Sequence, residues 1–383
     1  MRNIKKKICI SIAVFFVIAL SAIMIYFFMR NNDHSFKTVE VQQARTELNG
    51  YTFGEYKNIK FDCDPPSGDW DNIYQQLDIK QYSDFAGSME QLKQSGSELL
   101  SLMCGISVSP TELSDTDKDI YGDRNMDVTC IIDKKLIFDY FYNNSFLIDY
   151  IDGISNVMGE NAKVIRRLRP SEITEDMIYN VGGEKYPLKD AVSFAQSKID
   201  SVTEKYFFGQ KPVLTDIAIV HFPDTDEYSY LFRYSHVFEG LHIDDIAKAS
   251  PEGEYLGGSY LNLEIRQKDR IFHAGNYGYN VIGDKKSAKR IIPLSEAEKL
   301  ASKTLAPEHE YHVSRCELKY VCVTQNEAEK ASFCPMWVFT LQEDENGVYG
   351  YNSDNFEKMN LYINAITGEA YIYEIESQQL IKQ

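Results

Sequence analysis

An internal repeat in the second half of the chain limits the possible folds more than any other sequence feature. The two copies share a Pro-Leu pair and two spaced alanines: Pro187, Leu188, Ala191 and Ala195 in the first, and Pro293, Leu294, Ala297 and Ala301 in the second. Proline suits the start of a helix because its missing N–H would be unpaired there and its φ is preset. The small alanines allow a helix to lie close on a sheet. The repeat therefore predicts two helices, each beginning at its proline.

Segments of strand character follow both predicted helices. They are 213–221, 228–238, 241–246 and 260–265 in the first copy, and 316–323, 336–341, 359–363 and 370–374 in the second. Apolar and polar residues alternate along 261–266, which indicates one buried and one wet face. The predicted fold class is α+β, with tandem modules of one helix packed on a curved antiparallel sheet.

The N-terminus carries an unbroken apolar run, Ile8 to Met29, preceded by Arg2 and Lys5 to Lys7. A helix of this length crosses the hydrocarbon core of a bilayer, and basic flanks stay cytoplasmic. A cleaved signal peptide is the alternative, with Ala19 to Ser21 as a loose cleavage site, but the run continues past it and signal h-regions are shorter. We predict a single-pass cell-membrane anchor with the bulk of the chain extracytoplasmic.

The charge balance excludes one class of function. The chain of 383 residues has a formal net charge of −17, and its first 30 residues hold no acidic side chain. A nucleic-acid role is excluded, because nucleic-acid binders need a basic surface. The acidic surface suits a basic protein partner or divalent cations, or it serves only solubility. It does not identify a small-molecule ligand.

Composition shifts along the chain predict several domains. They are a cytoplasmic basic tip with a transmembrane anchor (1–30), a stalk (31–60), an N-terminal α+β domain (61–158), a linker (159–183) and two modules (184–290 and 291–383). In the N-terminal domain, helical spacing of apolar residues predicts a helix from Phe85 to Met103. Strands are predicted over 128–132 and 136–142, and a second helix over 146–157.

Six cysteines lie beyond the anchor, an even number that permits disulfides in an oxidising compartment. Cys322 and Cys334 flank a polar connection that reads as a hairpin loop, so they are predicted to face each other across strands as a disulfide. Buried free thiols are the alternative.

One acidic segment resembles the start of a calcium loop. Its carboxylates are Asp115, Asp117, Asp119 and Asp123. The segment departs from an EF-hand because Ile120 occupies the glycine position and Met126 the closing glutamate position. We retain these four residues as a candidate calcium site, with a solvated acidic turn as the alternative. No other cofactor is predicted.

Three aromatic residues are candidate contacts for a protein partner. Trp70 lies in a polar segment, and Tyr349 and Tyr351 follow a predicted hairpin tip. Aromatic side chains offer large, rigid contact areas. The alternative is that they only cover a sheet.

Motifs of nucleophilic, phosphate and zinc chemistry do not occur in the sequence. It has no G-x-S-x-G elbow, P-loop, H-E-x-x-H or S-x-x-K motif. We therefore predict no catalytic residues and no enzymatic activity. A cell-envelope enzyme with paired carboxylates for glycan processing remains an alternative, because the acidic composition allows such pairs. A passive cation-binding or spacer protein is a further alternative.

The second copy ends in Tyr362-Ile363-Asn364-Ala365-Ile366-Thr367-Gly368-Glu369-Ala370, similar to the D-A-x-T-G-E hairpin that ends PepSY units, with Asn364 in the Asp position. Together with the alanine-bearing helix and the strand from Tyr234 to Ile243, it resembles PepSY and thermolysin-propeptide-like modules, of cystatin/PepSY-like fold. Tandem modules on a single-pass anchor look like the YycH/YycI regulators of envelope-sensing histidine kinases. The resemblance covers 184–383 and implies a non-catalytic regulator that binds a sensor kinase or a peptidase.

Overall fold

The computed structural model describes residues 36–70, 72–79, 88–115, 127–132, 135–141, 145–150, 162–207, 210–244, 248–249, 255–256, 260–277, 282–325, 330–343, 359–374 and 379–382. Contacts divide the chain into residues 1–38 and residues 39–383, and the second unit is described here. The anchor predicted over 8–29 lies outside the described residues. Within the described ranges, no helix is both long enough and apolar enough to cross a membrane.

The described residues form a mixed α+β fold that is mostly sheet, which confirms the predicted fold class at that level. The α-helices are α1 (Val41–Glu47), α2 (Met89–Cys104), α3 (Leu188–Tyr206) and α4 (Leu294–Thr304). The strands are β1 (Val39–Glu40), β2 (Ile59–Phe61), β3 (Tyr74–Ile79), β4 (Ser114–Asp115), β5 (Asp127–Ile132), β6 (Leu136–Phe141), β7 (Phe146–Tyr150), β8 (Lys163–Leu168), β9 (Ile178–Val181), β10 (Glu184–Pro187), β11 (Lys211–Phe222), β12 (Glu227–Phe238), β13 (Leu241–Ile243), β14 (Lys248–Ala249), β15 (Tyr255–Leu256), β16 (Tyr260–Gln267), β17 (Arg270–Tyr277), β18 (Ile282–Ser287), β19 (Arg290–Ile291), β20 (Tyr311–Gln325), β21 (Lys330–Glu343), β22 (Met359–Asn364), β23 (Ala370–Glu374) and β24 (Gln379–Lys382).

Both helices of the repeat form as predicted. α3 and α4 start directly after Pro187 and Pro293, which have extended backbones at φ −64° and −69°. Their alanines are buried, so each helix lies with its small residues inward. Each helix precedes four antiparallel strands that pair in the order β11–β12–β16–β17 after α3 and β20–β21–β22–β23 after α4.

A third helix with a four-strand meander precedes these two. α2 is followed by β4–β5–β6–β7, paired in that order. The predicted helix over 146–157 is wrong in its described part, because 146–150 form β7. Phe146, Ile148 and Tyr150 are buried while the residues between them are not, which is the alternation of a strand. Residues 151–157 lie outside the described ranges.

The first two meanders share one sheet. β7 pairs with β17, which gives nine strands in the order β4–β5–β6–β7–β17–β16–β12–β11–β8. α2 and α3 contact each other, and their buried residues belong to one apolar core with this sheet. The regions predicted as separate domains over 61–158 and 184–290 therefore both contribute strands to one continuous sheet. β8 comes from the predicted linker and pairs with β11, which supplies the edge of β11 with hydrogen-bond partners.

The predicted stalk contributes ordered elements to the C-terminal half. β1 pairs with β19, and β2 pairs in parallel with β20. The buried Glu298 carboxylate on α4 accepts hydrogen bonds from the Tyr51 hydroxyl at 2.6 Å and the Gly54 N–H at 3.0 Å. Asn58 donates to the carbonyl oxygens of Ser302 and Leu305. We call residues 51–61 the strap. Polar contacts hold the strap on α4 and β20, and no periodic pattern of apolar residues in the sequence predicts them.

Within the described residues, one short strand joins the nine-stranded sheet to the C-terminal sheet, which contains β2, β3, β18 and β20–β24. β13 pairs antiparallel with β12 and parallel with β20. Gly240, in the turn before β13, has φ 91°, and a Cβ there would lie 2.5 Å from the Asp69 carbonyl oxygen and 2.8 Å from the Trp70 Cα. The Trp70 ring packs edge-on against Trp337, with ring centroids 6.4 Å apart. The junction therefore requires glycine at position 240.

Replacing Gly240 with alanine is expected to destabilise the fold by about 2–4 kcal/mol, from the left-handed backbone and the steric overlap together. Gly183→Ala is the matched control, since its φ is 82° but no atom lies within 4 Å of the added Cβ. It should cost about 1 kcal/mol. Chemical unfolding followed by tryptophan fluorescence measures both values, and equal losses would contradict the assigned contact.

Candidate functional site

An open groove of about 750 Å³ lies where the two sheets meet. Its floor includes Val213 and Thr215 of β11, His242 of β13, and residues 314–317 of β20, and its walls are residues 62–66 and 169–171. A smaller pocket of about 40 Å³ shares Thr215, His242 and Arg315 with it and extends to Arg233 and Lys319. We call these two spaces the junction groove. Segments from distant parts of the sequence build it.

Strand alternation decides which side chains of β20 enter the groove. Cys316, Leu318 and Tyr320 are buried. The side chains between them, Arg315, Glu317 and Lys319, therefore lie on the other face of the sheet, since successive side chains of a strand point to opposite faces. On β12, Arg233 likewise alternates with the buried Phe232 and Tyr234.

Glu317 lies between two cations on this face. Its carboxylate accepts bidentate hydrogen bonds from Arg315, with Nε–Oε2 at 2.7 Å and Nη2–Oε1 at 2.8 Å, and Lys319 Nζ is 3.1 Å away. Burial raises the pKa of Glu317, but Lys319, Arg315 and His242 outweigh it and lower the pKa to about 2. The groove therefore has a positive local field that holds this carboxylate ionised.

Further cationic and imidazole groups border this row. Lys319 Nζ also lies 3.7 Å from the buried Asp244 carboxylate. The Arg233 guanidinium stacks on the Tyr260 ring, 4.7 Å from its centroid. Burial lowers the pKa of His242, although the neighbouring Glu317 carboxylate acts in the opposite direction.

Two cysteines border the groove, Cys63 at its wall and Cys316 on the buried face of β20. Burial, followed by the charges of Asp62 and Asp64, raises the pKa of Cys63 to about 11, although the backbone N–H of Cys316 acts in the opposite direction. Burial also raises the pKa of Cys316 well above its usual value. Both thiols are protonated at neutral pH, so neither is an activated nucleophile.

The residues predicted as sites are not gathered in this groove. Trp70, predicted as an exposed partner contact, is only 2% exposed because it packs under the β12–β13 turn against Trp337. Asp115 lies in β4, opposite Val128. Asp117, Asp119, Asp123, Tyr349 and Tyr351 lie outside the described residues. Within the described part of the chain, no three His, Cys, Asp or Glu side chains are arranged to hold a metal ion.

The predicted Cys322–Cys334 bridge does not match the strand register. Cys322 pairs with Phe333, and Cys334 pairs with Val321. The cysteines are one position apart in register, and a shift of one residue places side chains on opposite faces of a sheet. The structure therefore does not bring these two thiols together.

Sequence reasoning missed the charged row of β20. Its signal was present, because Arg315, Glu317 and Lys319 alternate with apolar residues at strand spacing. Arg169 belongs to the predicted linker and lines the groove wall. What the sequence lacked was the pairing of β13 with β20, which places these residues beside His242.

Comparison with known proteins identifies the fold only in part. No protein family matches the sequence, and no curated protein matches it either. A crystal structure of an uncharacterized protein from Eubacterium rectale ATCC 33656 is similar at 14% identity and a TM-score of 0.50, covering 82% of this chain and 90% of that chain. The Bacillus megaterium YpeB C-terminal domain matches at 12% identity and a TM-score of 0.34, covering 77% of this chain and 97% of that chain. The similarity to the Eubacterium rectale protein indicates a shared fold but gives no information about function.

Acid is expected to weaken the junction through Glu317. Its folded-state pKa of about 2 lies below the ordinary 4.5, so its stabilisation is present above pH 4.5 and is lost as pH falls toward 2. This contribution is up to about 3 kcal/mol. Glu317→Gln should flatten the dependence of unfolding free energy on pH in that window. Glu308→Gln, at an exposed position before β20, is the control, and an unchanged slope in the Glu317 variant would contradict the assignment.

Proposed function

We propose that this protein is a membrane-anchored extracytoplasmic regulator or inhibitor, without enzymatic activity, that binds a protein partner through tandem PepSY-like modules. The partner class is a sensor kinase or a peptidase. The observation that carries the proposal is the junction groove, an open and polar site at the meeting point of the helix-and-meander units. The apolar N-terminal run and its basic flank motivate the anchor.

The form of the groove supports binding of a macromolecular segment. Its floor and walls combine a charged row with Phe61, Val213 and Pro170, a mixture of polar and apolar surface. Interfaces between proteins have this mixed character, with an apolar centre and polar surroundings. An open site between two sheets also admits a chain segment without a lid.

The PepSY-like assignment rests on three features. Both alanine-bearing helices precede antiparallel meanders. The hairpin between β22 and β23 turns at the sequence that resembles the PepSY ending, and the Asn364 carboxamide oxygen accepts hydrogen bonds from the N–H groups of Ile366 and Thr367. An aspartate carboxylate can accept the same two bonds, which accounts for Asn in the Asp position.

The groove carboxylates do not favour the alternative of a glycan-processing enzyme. Such an enzyme needs one carboxyl group with a raised pKa as its general acid. The pKa of Glu317 is instead lowered to about 2 by its cationic neighbours. Asp62, at the wall, pairs with His312 at 2.5 Å.

Photocrosslinking in cells tests the proposal. A photoreactive amino acid placed at Ser171, an exposed position of the groove wall, should capture a protein partner of the full-length chain. The same substitution at Ser201, an exposed position on α3, is the matched control. Mass spectrometry of adducts specific to Ser171 identifies the partner.

A second variant checks that capture reports on binding. Ser171→Trp should obstruct the groove and abolish capture of the same partner from a neighbouring wall position, whereas Ser201→Trp should leave it intact. Equal capture by the Ser171 and Ser201 probes, or no protein adduct at either, would refute a partner site in the groove.

A further inference from the structure

We infer that the junction groove takes an acidic segment of its protein partner, with a partner carboxylate held by Arg315 and Lys319 where Glu317 now lies. This inference rests on the proposed function and adds the chemistry of the partner. It concerns the same groove but makes a separate prediction about charge.

Charge complementarity is the first argument. The chain has a net charge of −17, yet this groove gathers Arg169, Arg315 and Lys319 around Glu317. Of the other carboxylates at the groove, Asp62 pairs with His312, Asp216 lies opposite Arg233 in the strand register, and Asp244 lies 3.7 Å from Lys319. Asp64 remains at the wall. An acidic protein that exposes cations at one site selects anionic groups there.

The second argument is the geometry around Glu317. The planar Arg315 guanidinium binds both oxygens of a carboxylate, the geometry that distinguishes arginine from lysine in carboxylate recognition. Glu317 is therefore an internal ligand that occupies the site in the unbound protein. A partner carboxylate enters by replacing it or by sharing its two cations.

The third argument comes from the groove wall. The Arg169 side chain is exposed and forms no ion pair with another described residue, although it borders the same space. Phe61, Val213 and Leu214 line the groove beside it. A partner segment that carries acidic residues next to apolar ones would complement both the exposed arginine and the apolar lining.

This assignment predicts opposite effects for two charge changes. Removing the internal carboxylate with Glu317→Gln should tighten binding of an acidic peptide about fivefold, and Arg169→Gln should weaken it by a similar factor. The matched controls change the same charges outside the groove lining: Glu308→Gln, at an exposed position before β20, and Arg166→Gln on β8 should each shift affinity less than about twofold.

The measurement is fluorescence anisotropy of a labelled peptide of alternating glutamate and valine with the detergent-solubilised full-length protein. A glutamine–valine peptide is the neutral probe, and inorganic polyphosphate is the competing anion. Binding of the glutamate peptide alone, tightened by Glu317→Gln, is the expected result. Equal shifts in the two glutamate variants would overturn the inference, as would absence of peptide binding. Preferential binding of polyphosphate would also overturn the inference, because the ligand of the groove would then be a phosphate polymer and not an acidic protein segment.

The result separates this inference from the proposed function. Photocrosslinking at Ser171 that captures a protein, combined with no effect of the charge variants, rejects the acidic segment but keeps the partner site. Failure of both experiments rejects both.

Discussion

The pairing of β13 with β12 on one edge and β20 on the other is the interaction on which the rest of the structure depends. Without it, the nine-stranded sheet and the C-terminal sheet would each expose an open strand edge at this point. The turn at Gly240 lets β13 approach Trp70, which in turn packs on Trp337. A strand of three residues is thus stabilised by a buried aromatic pair rather than by its own length.

The strap adds a second connection to the C-terminal half. Its contacts with Glu298 satisfy a buried carboxylate, whose pKa is raised by burial and partly lowered again by donors from Tyr51, Gly54 and Tyr56. Leaving such a group without donors would cost more than the hydrogen bonds gain. The strap, most of which the sequence predicts as a stalk, is therefore fixed onto α4 by polar contacts.

The groove follows from these two constraints. β13 sets His242 beside the charged row of β20, while β2, the end of the strap, pairs with the start of β20 and leaves residues 62–66 as a wall. Glu317 remains ionised because its cations outweigh the effect of burial. The groove arises from the arrangement of these strands, and its chemistry is that of carboxylate and guanidinium groups.

Much of the local structure was readable from the sequence. The two prolines located the starts of α3 and α4, and segments of strand character located most strands of both meanders, because these signals depend on neighbouring residues alone. A glycine inside a helical pattern disfavours a helix, but a Cβ at Gly96 of α2 would lie 3.3 Å from Val128, Phe138 and Tyr140. The glycine lets the helix lie close on β5 and β6, which is a property of the packed pair.

Tertiary structure decided what the local signals left open. The apolar run Phe146-Leu147-Ile148 suits a helix or a strand, and only pairing with β6 and β17 made it β7. The same holds for the register that separates Cys322 from Cys334 and for the burial of Trp70. By itself the sequence determined the helix starts, most strands and an α+β class, since helix caps and periodicity act over a few residues. The tertiary structure decided the shared sheet, the strap and the groove, because strand pairing and burial depend on partners that lie far apart in the chain.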